Sequence, residues 1–80
     1  MKTMNAKILY ITRTAYSYYG NPHHNVTLQD INGNIYEART ATNADCGYGI
    51  RNKGTGENAG FWEISYHYTK KGSMIIDYMN

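Results

Sequence analysis

An 80-residue chain with a formal charge of +2 and one cysteine is a single domain with a thin core, and it cannot hold an internal disulfide. That charge is too balanced to announce a nucleic-acid binder and too mild to exclude one. Nine tyrosines, with leucine only at Leu9 and Leu28, exclude an ordinary helical domain and suit a small β domain.

Residues 1–6 are expected to be a loose start. No secretory apolar segment opens the chain, and no apolar run approaches the ~20 residues of a membrane span. Residues 7–16, KILYITRTAY, read as a long first strand. One parity holds Ile8, Tyr10, Thr12 and Thr14; the other holds Leu9, Ile11, Arg13 and Ala15. Both parities begin apolar, so the first half should be buried on two sides, with the strand bending to serve two faces of a barrel. Residues 17–25, SYYGNPHHN, read as a turn region punctuated by Gly20-Asn21-Pro22.

Residues 26–30 and 35–42 are the second and third strands. A type I turn with Gly33 as a left-handed bulge pairs Asp30 with Asn34, Leu28 with Tyr36 and Val26 with Ala38. A two-residue Asn-Gly turn would set Leu28 against Glu37 and Val26 against Arg39, so the hydrophobic pattern selects the bulged turn. Residues 42–51, TNADCGYGIR, break the alternation. Thr42 or Asn43 can cap a short helical turn with Asp45 near its positive end, and Gly47 and Gly49 keep it short. Residues 52–60, NKGTGENAG, are glycine-rich, carry no phosphate-loop pattern and are expected to be a flexible loop.

Residues 61–79, FWEISYHYTKKGSMIIDYM, form a β-hairpin around Lys70-Lys71-Gly72. With Gly72 in the bulge position, Thr69 pairs with Ser73, Tyr68 with Met74, Tyr66 with Ile76 and Ile64 with Tyr78. Glu63, Ser65, His67, Ile75 and Asp77 fall on the opposite face. Three strands, a short helix and two strands, in so short a chain, predict a β-rich, essentially all-β fold: a five-stranded OB-like barrel with its helix between strands three and four. An SH3-like barrel is the alternative, and order alone leaves an open α+β sheet possible.

The candidate chemistry is thin. His23-His24 could bind metal only with other ligands, and His67, Cys46 and Asp45 stand at no zinc spacing, so exposed loop histidines are expected and no metal site. Cys46 lacks the base and pocket of a nucleophile and reads as a small buried side chain, in a chain whose lone cysteine suits a reducing compartment. Glu63 and Asp77 sit on a polar face where solvation explains them. The chain is therefore expected to bind without catalysing and to use no cofactor.

The tyrosines carry the functional reading. Tyr10, Tyr36, Tyr48, Tyr66, Tyr68 and Tyr78 fall on core parities; Tyr16, Tyr18 and Tyr19 do not. The latter cluster in the first connecting loop, one rim of the binding face in OB barrels. Arg13 precedes them, Arg39 lies on the outward face of the third strand, and Lys70 and Lys71 stand on the turn between the last strands. Aromatics among positive charges suit stacking of unpaired bases and contact with phosphates. The expected partner is single-stranded DNA or RNA, bound through Arg13, Tyr16, Tyr18, Tyr19, Arg39, Lys70 and Lys71. Tyrosine-rich loops serve protein interfaces equally well.

Gly20-Asn21-Pro22 leading into a strand, the run 40–44 with Gly47-Tyr48, and the closing run 68–72 resemble a group of short hypothetical proteins encoded by bacteriophages. The resemblance covers most of the chain through short structural motifs. It implies a phage or mobile-element accessory protein in the bacterial cytoplasm, and it sharpens the alternative partner to a host protein, such as a defence component, that the chain docks on and inhibits. It implies no site residues.

Overall fold

A computed structural model describes residues 2–16, 18–20, 22–41 and 54–80. Five strands close into a barrel in the order β1-β2-β3-β5-β4: β1 (Lys2–Tyr16), β2 (Pro22–Asp30), β3 (Ile35–Thr40), β4 (Trp62–Tyr68) and β5 (Met74–Met79). β3 and β5 run parallel and the other neighbours antiparallel. This is the arrangement of an OB-like barrel. The short helix expected at residues 42–51, with Asp45, Cys46 and Tyr48, lies outside the described residues. Among the described residues no helix is long and apolar enough to cross a membrane.

β1 organises the barrel. Its first residues pair with β4, from Lys2 opposite Tyr66 to Ala6 opposite Trp62, and from Ala6 onward it pairs with β2. Residues 2–6 are thus part of a strand rather than a loose start. Ladder hydrogen bonds to β4 hold them, and Ala6 is fully buried at the point where β1 changes partner. The predicted bend is present and has two local causes. Leu9 and Thr12 are extra residues with no partner on β2, so the strand bulges twice. Each bulge shifts the side-chain alternation by one. Ile8 faces the core and Ile11 pairs with the buried Val26, while Tyr10 pairs with Thr27 and turns outward, 55% exposed. Assigning Tyr10 to the core assumed an unbroken alternation, and the Leu9 bulge overturns it.

The β2–β3 hairpin has the expected register. Leu28 faces Tyr36 and Val26 faces Ala38. Gly33 adopts φ +88, and the Asp30 amide donates to the Asn34 carbonyl. The Asp30 carboxylate ties the turn together, accepting the amides of Asn32 and Asn34 at 2.9 Å and the Tyr36 hydroxyl at 3.2 Å. Desolvation works to raise the Asp30 pKa. The hydrogen bonds from Asn34, Asn32 and Tyr36 outweigh it, and the net displacement is below the ordinary value of 3.8.

β2 is longer than its hydrophobic pattern suggested. Residues 22–25, expected to be part of a turn, pair with residues 13–16 of β1 and lengthen the first hairpin. Strand pairing also buries His24, which was expected to be exposed. Its Nδ1 lies 2.9 Å from the Thr14 hydroxyl, and its amide donates to the Thr40 hydroxyl at 2.9 Å. Alternation along β2 turns His24 inward and leaves His23 outward.

The second hairpin follows the predicted register near its turn. Gly72 takes φ +85, the amides of Thr69 and Gly72 close the turn, and Tyr68 and Tyr66 face Met74 and Ile76. Further along, Asp77 is an extra residue on β5. Ile64 therefore pairs with Met79, not Tyr78. Tyr78 is moved outward, 58% exposed, and Met79 packs on the core in its place. Tyr68 is also exposed, stacked edge-on against Tyr66 with the Lys2 ammonium over its ring. It lies in the terminal pair before the turn, where the barrel interior ends.

Ile8, Val26, Leu28, Ile64 and Ile76, all fully buried, centre the core, and Trp62 and Met74 complete it. Residues 54–60, expected to be flexible, are tied to β1: the Gly56 amide donates to the Ile8 carbonyl at 2.9 Å, and Lys7 donates to the Glu57 carbonyl at 2.7 Å.

Candidate functional site

One row of directly paired residues crosses the whole outer face of the barrel. Arg13 on β1 faces Asn25 on β2, Asn25 faces Arg39 on β3, Arg39 faces Ile75 on β5, and Ile75 faces His67 on β4. Residues paired in this way send their side chains to one face of a sheet. The second bulge of β1 matters here: by absorbing Thr12, it brings Arg13 opposite Asn25. Neighbouring strands lie about 4.8 Å apart, so two strand steps set the Arg13 and Arg39 backbones about 10 Å apart with Asn25 between them.

The row forms the floor of a groove of about 600 Å³, flanked by Ala15, His23, Ala41 and Asp77. A second depression of about 440 Å³ adjoins it, lined by Thr12, Glu37 and residues 72–74. Asn25 and Arg39 line both. The two hollows therefore make one track, from the far end of the first hairpin to the turn that carries Lys70 and Lys71.

At the β4–β5 side of the groove, His67 Nδ1 lies 2.8 Å from Asp77 Oδ2. An ionised carboxylate only accepts, so the proton sits on Nδ1 and the imidazole orientation is set. Asp77 is the extra residue of β5, and a bulge of this kind re-aims the side chain it carries. Asp77 was expected to be a solvated acid; its carboxylate instead holds a ring at the groove wall. Beneath the floor, the Thr14–His24 and His24–Thr40 contacts brace β1, β2 and β3 against one another.

The residues singled out from sequence divide into three places. Arg13 and Arg39 meet in the groove. Tyr16, Tyr18 and Tyr19 stand at the end of the first hairpin, with Tyr18 95% and Tyr19 86% exposed and their rings edge-to-face at 5.2 Å. Lys70 and Lys71 are exposed on the β4–β5 turn, next to Gly72 of the second hollow. Sequence reasoning passed over Asn25, Ile75, His67 and Asp77. Asn25 was assigned to a turn. Ile75, an aliphatic residue on the polar parity of a hairpin that also carries His67 and Asp77, was the signal that this face is not plain solvent-exposed surface.

Among the described residues no group of three or more His, Cys, Asp or Glu side chains could hold a metal ion. No family model, curated protein or solved structure matches the chain.

Proposed function

We propose that the barrel binds single-stranded nucleic acid along this track. The observation that carries the reading is the pair of adjoining hollows sharing Asn25 and Arg39. They run between an exposed aromatic hairpin end and a dibasic turn. In OB-like barrels the face of strands two and three, with the β1–β2 and β4–β5 loops, is the surface that takes oligonucleotides. Here Arg39 of β3 lies on that face, and Arg13 of β1 stands beside it across Asn25. The hairpin end offers Tyr16, Tyr18 and Tyr19 as stacking platforms, and Lys70 and Lys71 supply phosphate contacts. A strand of unpaired bases can use all three at once.

Fluorescence anisotropy with labelled mixed-sequence DNA and RNA oligonucleotides, at two salt concentrations, tests the reading. Saturable binding that weakens steeply with salt is expected. No saturable binding at low salt refutes it. That result leaves the docking of a host protein on the same exposed Tyr18 and Tyr19 as the reading to pursue, since exposed tyrosines are common interface anchors.

A further inference from the structure

The groove floor is built differently from the rest of the track. It has a cationic side, an apolar bed and an oriented ring. Arg13 and Arg39 form the cationic side, on β1 and β3. Ile75 forms the bed and is only 9% exposed. Ala15 and Ala41, with short side chains, line the hollow beside it. His67 stands beyond Ile75 with its orientation set by Asp77. Asn25, between the arginines, offers both an amide donor and a carbonyl acceptor. Salt-tolerant stacking needs only a ring, and a general phosphate contact needs only a charge. A hollow of about 600 Å³ with both, facing each other across an apolar bed, has the size and mixed lining of a small-molecule site.

We propose that this hollow is a one-nucleotide pocket. The phosphate lies between Arg13 and Arg39, where the Asn25 amide can donate to it, and the base lies over Ile75 against the His67 ring. This deepens the reading of the track as a nucleic-acid site and rests on it. The arginines suit the phosphate because a guanidinium presents paired donors to two oxygens. Asp77 contributes by holding the imidazole in place before the base arrives, so less freedom is lost on binding.

Isothermal titration calorimetry with four probes tests the pocket: the set of nucleoside 5′-monophosphates, the matching nucleosides, inorganic phosphate, and a mixed-sequence single-stranded 12-mer. At least one monophosphate is expected to bind about tenfold or more tighter than its nucleoside and than phosphate, a gap of about 1.4 kcal/mol. Arg39→Ala should reduce that monophosphate to the level of its nucleoside. His67→Ala should reduce it to the level of phosphate, and both variants should melt close to the parent because the side chains are exposed. A monophosphate that binds no tighter than phosphate overturns the pocket. So does an unchanged affinity in both variants. A 12-mer that binds equally well to the parent, Arg39→Ala and His67→Ala also overturns it, and leaves the wider track standing on its tyrosines and lysines. If monophosphate binds and the 12-mer does not, the pocket holds for a free nucleotide and the strand reading fails.

Discussion

Gly72 offers the sharpest test of the barrel's construction. It sits at φ +85 in the turn that joins β4 to β5, and a Cβ built there meets no other atom within 4 Å. A side chain at this position therefore costs backbone strain alone, with no steric clash to relieve. The left-handed conformation costs an L-residue about 1–2 kcal/mol, and a β-branched residue, whose χ1 freedom is also restricted, stands at the upper end. Replacing glycine also narrows the unfolded ensemble, which returns about 0.4–1 kcal/mol. The net expectation is a loss of about 0–1.5 kcal/mol for Gly72→Ala and about 1–1.6 kcal/mol for Gly72→Val. Gly72→Asn should cost least, because asparagine visits this region most readily. In a domain of this size each 1 kcal/mol lowers Tm by about 4–8 °C, so the three variants should separate in order Asn, Ala, Val by calorimetry or circular dichroism. The Thr69–Ser73 and Gly72–Thr69 bonds depend on that geometry. If Gly72→Val melts with the parent, the turn does not hold a left-handed residue at position 72, and the register of the whole hairpin is wrong.

Four further outcomes are expected. Asp30→Asn should destabilise the protein at neutral pH. The Asp30 pKa is depressed in the folded state, so its contribution is fully present above about 3.8 and lost as pH falls through the lower folded value; denaturant unfolding of parent and variant should converge in strong acid, and a constant gap would refute this. His24→Ala should cost about 1–3 kcal/mol, since it strips a buried hydrogen-bonded group, whereas His23→Ala should be nearly neutral; equal melts would contradict the inward position of His24. Tyr18→Ala and Tyr19→Ala should each weaken oligonucleotide binding by about 1–3 kcal/mol per base no longer stacked, without moving Tm, as read by anisotropy and thermal melts. Lys70→Ala and Lys71→Ala should lower affinity evenly across sequences and each flatten the salt dependence by about one unit, a change that a purely structural role of the turn would not produce.

The hairpins were legible because local chemistry dictates them. Gly33 and Gly72 each demanded a left-handed position, and each demand, joined to apolar pairing on one face, admitted one register near the turn. Alternation along an unbroken stretch likewise placed Val26, Leu28, Ala38, Tyr66 and Ile76 in or against the core. The number and sequence of such strands in a short chain pointed to a five-stranded barrel but left an open sheet possible. Arg39 was recognised as an outward charge from its parity, Arg13 was singled out because it precedes the tyrosine cluster, and Tyr18 and Tyr19 were read as exposed aromatics because they had no place on a strand parity.

Only the closed barrel decided the rest. Leu9, Thr12 and Asp77 each leave their ladder as an extra residue, and nothing in their side chains marks them for it. They bulge because a strand shared between two neighbours must bend, and the bend is a property of closure rather than of any local stretch. Each bulge reverses the faces beyond it. That reversal exposes Tyr10 and Tyr78, seats Met79 on the core, sets Arg13 opposite Asn25 and carries Asp77 to His67. Residues 2–6 became a strand because β4, some sixty residues away in the chain, offered them a partner. The groove is made by one row across five strands, and its members are neighbours only through pairing at long range. A parity rule runs along one strand and cannot see across the sheet, which is why two arginines were found from sequence while the amide between them, and the apolar bed and ring beyond Arg39, were not.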